Sequence, residues 1–292
     1  MLVCIPAKTQ FKRILVPTDF TDVSDRAVSY ARNIARLYDA KIVLAHVNEP
    51  INPIAPPEIV WFDELTELKK DAELLESKSA ELRGQGFRAE TASLTGTLRD
   101  EILSAALQER SEIIVLGSHG RSGIMRILFG SEAEVVYRQA ACPILVVGPH
   151  APQPEDKPWH PRDIVCATNL DPDSAPAAAY AYLLAQEHQA TFTLFHVIDS
   201  THATVDEVQA AQFEKALAEH LPENEKPVFT ARTLMIGYRL GSTITDFAKE
   251  RHSDLIVLGA HPASAANTHM PRGIAPEVIS EAHCPVMILH SY

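Results

Sequence analysis

At 292 residues, 46% of them apolar and 22% charged, the chain has the composition of a globular protein and the length for two ordinary domains, each able to bury a core. The formal net charge of −12 argues against a nucleic-acid or anionic-membrane partner, because such surfaces attract basic proteins. No apolar run reaches the roughly 18 residues of a transmembrane helix, and the opening MLVCIPAKTQFKR lacks a basic segment ahead of a long apolar core. Cys4, Cys142, Cys166 and Cys284 lie far apart with no C-x-x-C, which predicts reduced, buried thiols in a cytoplasmic protein.

Residues 12–19 (KRILVPTD) read as a buried strand ending in a Pro-Thr-Asp turn. Across 24–38, Ala27, Ala31, Ile34, Ala35 and Tyr38 recur at helical spacing, and KIVLAHV at 41–47 is a second strand. After prolines at 50–57, a long helix carries an apolar stripe of Leu65, Leu68, Ala72, Leu75 and Leu82 and stops at Gly84 and Gly86. A third strand (87–94), a helix (98–110) with Ile102, Ala105 and Ala106 inward, and a fourth strand (113–116) follow. A helix over 132–140 and a last strand, 144–147, complete the unit. Strands alternating with helices predict an α/β fold with an open, mostly parallel five-stranded sheet covered by helices on both faces.

The order then repeats. LAHV at 44–47 returns as LFHV at 194–197, an offset of 150, and IIVLG at 113–117 returns as LIVLG at 255–259, an offset of 142. The difference places an eight-residue deletion between the second and fourth strands of the second copy, in the long helix and the loop leading into it. Five prolines between 149 and 161 mark a semi-extended linker. The chain therefore divides into copies at 1–150 and 162–292, joined by 151–161.

The chemistry-bearing stretch is GSHGRSGIMRILFGSE, 117–132, directly after the fourth strand. Gly117, Gly120 and Gly130 follow a G-x2-G-x9-G spacing, with Ser131 next. Glycines let a backbone approach a ligand closely, and N–H groups freed at a strand-to-helix turn suit phosphate oxygens. Ser131 fits a helix N-cap with Glu134 closing a capping box. The competing reading is a turn that only reverses the chain. No Gly-Lys-Ser/Thr ending makes this a Walker A loop, and the spacing is not G-x-G-x-x-G. Arg121 and Arg126 flank the loop as phosphate contacts or solvated cations, and His119 lies inside it as a phosphate ligand or a packing residue. His46 and His196 read as hydrogen-bonded core histidines and Cys142 and Cys284 as buried small residues.

The second copy departs where chemistry would sit. PTD at 17–19 becomes ATN at 167–169, Gly120 falls on Pro262, and Gly130-Ser131 fall on Arg272-Gly273. Proline supplies no N–H, so the phosphate nest is lost and the second copy is expected to be a structural partner.

The combination of KRILVPTDF, LAHV and G-x2-G-x9-G-S resembles the universal stress protein family in a tandem, two-domain form, with the first domain of the ATP-binding type. The resemblance implies an adenine nucleotide alpha hydrolase-like fold and a nucleotide-dependent role in stress response. It implies an adenosine side formed by Pro17, Thr18, Asp19 and Val47, and a phosphate side formed by Gly117, Gly120, Gly130, Ser131 and the backbone of Glu132, with His119 and Arg121 beside it. A Mg²⁺ ion accompanying ATP would be held mainly by phosphate oxygens and water. No nucleophile with a paired base is found, so at most slow hydrolysis is expected. The alternative is an interaction scaffold of the same fold that binds no nucleotide. In it the last strands, 144–147 and 286–289, are edges that dock the copies as an internal pseudo-dimer or join two chains as a homodimer. An ATP pyrophosphatase is a weaker third reading, because no Ser-Gly-Gly-x-Asp-Ser loop follows the first strand.

Overall fold

The computed structural model describes residues 10–49, 57–118, 136, 139–199, 207–221, 231–237, 239–260 and 274–290. These fall into two compact units, one built on Phe11–Val136 with Gln153–Trp159 and the other on Tyr137–Pro152 with His160–Tyr292. Both are α/β.

In the first unit, β1 (Arg13–Pro17), β2 (Lys41–Asn48), β3 (Arg88–Thr95) and β4 (Ile113–Gly117) lie in the order β3-β2-β1-β4. All pairings are parallel, with Pro17 level with Ala45 and Leu15 level with Ile114. Ile14, Leu15, Ile42, Leu44, Ile113 and Ile114 are essentially inaccessible to solvent, as expected of strands covered on both faces. α1 (Asp22–Tyr38) starts at Thr21, whose side chain accepts from the Ser24 N–H, and buries the predicted face of Ala27, Ala31, Ile34, Ala35 and Tyr38. α2 (Pro57–Gly84) differs from expectation in its packed stripe. Leu75 and Leu82 are buried, but Ala72 is exposed and Ser79 takes the inward place beside them. The true stripe runs Leu68, Asp71, Leu75, Lys78, Ser79 and Leu82, a helical spacing that tolerates polar members because each has a partner or a half-exposed rim position. Gly86 at φ +89° closes α2 as predicted, with the Phe87 N–H donating to Leu82 O at 3.0 Å. α3 (Leu98–Gln108) buries Leu98, Ile102, Ala105 and Ala106.

In the second unit, β5 (Ile144–Val147), β6 (Asp163–Ala167), β7 (Thr191–Asp199), β8 (Ala231–Gly237), β9 (Leu255–Ala260) and β10 (Val286–His290) take the order β5-β10-β9-β6-β7-β8. From β10 to β8 every pairing is parallel. β5 pairs antiparallel with β10, Leu145 facing Met287, so the last strands of the two sequence copies zip together. α4 (Ala175–His188) is buried nearly all round through Ala177, Ala178, Ala179, Ala181, Leu184 and Ala185, where alanines admit close approach. α5 (Glu207–Glu219), α6 (Leu240–Glu250) and α7 (Ala275–Glu281) complete the described helices. Between β2 and β3 lie 39 residues and between β7 and β8 only 31, so the inferred eight-residue deletion falls in this connection, where α5 has 13 described residues against the 28 of α2. Among the described residues no helix is long and apolar enough to cross a membrane.

Of the expected helix over 132–140 only Val136, Gln139 and Ala140 are described; the first two are helical and Ala140 is not. Cys166 and Cys284 are buried as predicted, and burial pushes both thiols up to about 12. Cys142 is only half-buried, because it precedes β5 in an irregular turn rather than lying under a helix. Cys4 lies outside the described residues.

Candidate functional site

The turn after β1 is built by short side chains bonding to nearby backbone. Thr18 is 2% exposed, and its N–H donates to Ala45 O at 2.8 Å, anchoring the turn to β2. The Thr18 hydroxyl accepts the Phe20 N–H at 3.1 Å and meets the Ser24 hydroxyl at 3.0 Å, inside the first turn of α1. Asp19 Oδ1 accepts from both the Thr21 N–H, at 3.2 Å, and the Thr21 hydroxyl, at 2.6 Å. Such Asx and Thr bonds stabilise sharp turns. Between them Phe20 sits at φ +62°, a left-handed conformation that non-glycine residues adopt only when their neighbours hold them there. The result is a half-buried Asp19 at the carboxyl end of β1, with its carboxylate oriented by Thr21.

His46, at the end of β2, locks the turn from the other side. Its Nδ1 is 2.7 Å from Thr18 O, and since a carbonyl only accepts, Nδ1 carries the proton of that bond. The ring stacks on Phe20 at 4.6 Å and 30°, and Nε2 lies 3.6 Å from Asp71 Oδ2 of α2. The expectation of a hydrogen-bonded histidine holds, but the ring is half-buried at the rim of the sheet rather than in the core. Val47, next along β2, is half-buried at the same end. Gly117 ends β4 against the start of α1: a Cβ there would stand 2.6 Å from Val23 O and 2.8 Å from Val23 C. That glycine is required by packing of strand on helix, whatever it does for a ligand. Ser118 beside it is wholly buried.

Pro17, Thr18, Asp19, Val47 and Gly117 thus meet at the carboxyl ends of adjacent parallel strands, where ligands of open α/β sheets bind. His119, Gly120, Arg121, Arg126, Gly130, Ser131 and Glu132 lie outside the described residues, as do Pro262, Arg272 and Gly273. Phe20, Ser24, His46 and Asp71 belong to the arrangement and were not singled out for it by spacing. The repeat held a clue to two of these positions, since Ser24 and His46 return as Ser174 and His196 at the same offset as Thr18 and Thr168.

The second copy builds the same turn. Thr168 N–H donates to Phe195 O at 2.9 Å, its hydroxyl meets Ser174 at 2.8 Å and accepts the Leu170 N–H at 3.0 Å. Leu170 sits at φ +60°, His196 Nδ1 lies 2.7 Å from Thr168 O, and Asn169 Oδ1 accepts the Asp171 N–H at 3.0 Å. An amide oxygen replaces a carboxylate oxygen in the turn without changing its shape. The charge at this one position is what differs, the second turn carrying its carboxylate at Asp171 instead. Among the described residues no group of three or more His, Cys, Asp or Glu could hold a metal ion.

Comparison with known proteins agrees with the duplicated architecture. The family model described as Universal stress protein family matches residues 10–148 and again 161–290. A universal stress protein of Methanocaldococcus jannaschii is 36% identical over 141 residues, 47% of this chain and 82% of its own. One from Mycolicibacterium smegmatis is 24% identical over 289 residues, covering 94% of this chain and 96% of its own. The crystal structure of a universal stress protein from Archaeoglobus fulgidus superposes with a TM-score of 0.70 at 18% identity, over 98% of each chain. The chain belongs to the universal stress protein family, in its tandem form.

Proposed function

We propose that the N-terminal copy binds ATP and that the bound nucleotide sets the partner choice of a cytoplasmic stress-response regulator, the C-terminal copy serving as structural partner. The observation that carries this reading is the asymmetry on a shared scaffold. Both copies build the same turn after their first strand, yet the position following its threonine holds a carboxylate, Asp19, in the first and an amide, Asn169, in the second, whose nearest carboxylate is Asp171, two residues on. A half-buried carboxylate beside half-buried apolar Val47 suits a ribose hydroxyl and an adenine face, so the described residues fit the nucleoside half of the ligand. Thr18, with its hydroxyl, N–H and carbonyl all engaged within the protein, holds the turn and buried Pro17 backs it. The sequence beyond Gly117 supports the phosphate half: Gly120, Gly130, Ser131 and the Glu132 backbone as amide donors, with His119 and Arg121 beside them. Mg²⁺ would travel with the triphosphate, held by phosphate oxygens and water. Hydrolysis, where it occurs, is slow on this reading, because the sequence offers no nucleophile with a paired base.

Isothermal titration should give about one ATP site per chain. Gly130→Arg with Ser131→Gly, which copies the second half's residues into the first, should abolish it. Undiminished binding in that variant would refute the placement.

A second reading, a scaffold without nucleotide, is favoured by one observation, the antiparallel pairing of β5 with β10. Mass spectrometry of small molecules released from the purified protein discriminates: released adenine nucleotide favours the first reading, and none, together with an ATP-independent melting temperature, favours the second.

A further inference from the structure

We propose that His46 is a positioning residue that couples the turn after β1 to α2, making α2 the element of the N-terminal copy that responds to a ligand seated at that turn. The inference deepens the nucleotide reading in its ligand-dependent arm, and it has a ligand-free arm that stands apart from it.

His46 touches the turn twice and α2 once. Its Nδ1 holds Thr18 O at 2.7 Å, its ring lies on Phe20, and its Nε2 is 3.6 Å from Asp71 Oδ2, a contact between polar atoms longer than a hydrogen bond. Phe20 is the strained residue of the turn, at φ +62°, and the Thr18 and Asp19 backbone around it is where a nucleoside would sit. Asp71 lies mid-way along α2, one helical face with Leu75 and Lys78, and Lys78 pairs with Asp25 in the first turn of α1. Any movement of Phe20 or of the Thr18 carbonyl therefore changes the seat of the imidazole, and with it the interaction that reaches from the turn to Asp71. Small displacements are transmitted this way when packed groups have discrete arrangements.

The second copy supplies an internal control. His196 keeps the bond to Thr168 O at 2.7 Å, but Leu170 stands where Phe20 does, removing the ring stack, and the helix opposite is 13 residues against 28. Among the described residues no carboxylate is paired with His196. The bond to the turn is common to both copies. Among the described residues the link onward to the helix is found in the first copy.

Hydrogen exchange read by mass spectrometry on the full chain tests this. Without ligand, Asp71→Asn should speed exchange of the Thr18, Phe20 and Thr21 amides by about fivefold, the scale expected when one weak interaction is removed. The same substitution in a His46→Gln background should add nothing further, because the path is already cut. His196→Gln should leave α2 and the first turn unchanged. With saturating ATP, α2 amides over 67–83 should slow in the wild type and lose that response in Asp71→Asn, while affinity changes less than about threefold. The coupling is overturned if Asp71→Asn leaves the turn untouched, or if its effect is as large with His46→Gln as without it. ATP failing to bind the wild type would remove the nucleotide reading and be visible as such, with the ligand-free comparison still deciding the coupling. ATP bound, with α2 responding equally in wild type and Asp71→Asn, would remove the coupling alone.

Discussion

Replacing Gly117 by alanine separates the packing role of this glycine from any role in ligand binding. A Cβ built at Gly117 meets Val23 O at 2.6 Å, Val23 C at 2.8 Å and Val23 Cγ1 at 3.0 Å. Carbon and oxygen rest at about 3.5 Å, so relief needs a shift of roughly 0.9 Å between β4 and the first turn of α1. The side chain of Val23 can rotate away, but its backbone cannot. That turn is pinned by the Thr21 cap, the Thr18–Ser24 hydroxyl contact and the Asp25 N–H to Thr21 O bond at 2.9 Å. Overpacking against fixed backbone costs about 1–3 kcal/mol, and the absence of a flexible neighbour puts Gly117→Ala in the upper half of that range. Trp159 is buried and its backbone N–H donates to Asn33 O of α1 at 3.1 Å, so its fluorescence reports on this unit. Urea unfolding followed by Trp159, in a Trp61→Phe background and without nucleotide, should show the midpoint falling with an unchanged slope. Gly84→Ala is the control: nothing lies within 4 Å of a Cβ there, at the last residue of α2, so stability should stay level or rise by up to about 1 kcal/mol. Gly117→Ala matching the wild type within about 0.5 kcal/mol would refute the packing argument and leave ligand approach as the glycine's purpose.

Two further outcomes follow from groups remote from the turn. Burial, reinforced by the positive charge that His160 would carry, pushes the His188 imidazole down to about 4 from 6.5. The unfolded chain therefore takes up this proton first, and stability present above pH 6.5 is lost as pH falls toward 4. The full shift corresponds to a ceiling of about 3 kcal/mol, which solvent screening at this half-exposed site reduces to about 1–2 kcal/mol. His188→Gln should flatten that part of the stability–pH curve, and superimposable curves would contradict the assignment. Cys166 and Cys284, with thiols pushed up to about 12, should resist iodoacetamide at pH 8 until the chain unfolds, whereas half-buried Cys142 should label in the native state. Native labelling of either buried thiol, read by peptide mass, would contradict the packing described.

The parts of this molecule that were legible in its sequence are those whose cause is local or repeated. ILVP, KIVLAHV and IIVLG are apolar runs, and they became β1, β2 and β4 because both faces of a parallel sheet must be apolar. The offsets of 150 and 142 carried further than any one motif, since Thr18, Phe20, Asp39 and Arg110 find conformational twins in Thr168, Leu170, Gln189 and His252. What stayed hidden depends on contacts between segments distant along the chain. Apolarity alone assigned Ala72 to the packed face of α2, but Ser79 is buried there because Arg83 bonds its hydroxyl at 2.8 Å. Glycine scanning finds turns that use glycine and passes over Phe20 and Leu170, which are held left-handed by a threonine hydroxyl two residues earlier. His46 reads as a core histidine because it recurs within a repeated apolar strand, LAHV and LFHV, whereas its reach to Asp71 depends on how β2 packs against α2.

The most direct test of the central claim is a crystal structure grown with ATP and Mg²⁺. The account predicts nucleotide density in the N-terminal copy alone, the ribose beside Asp19 and the phosphates along 117–132, with the cleft beside Asn169 free of triphosphate. Triphosphate seated only in the C-terminal copy, along 259–274, would contradict it.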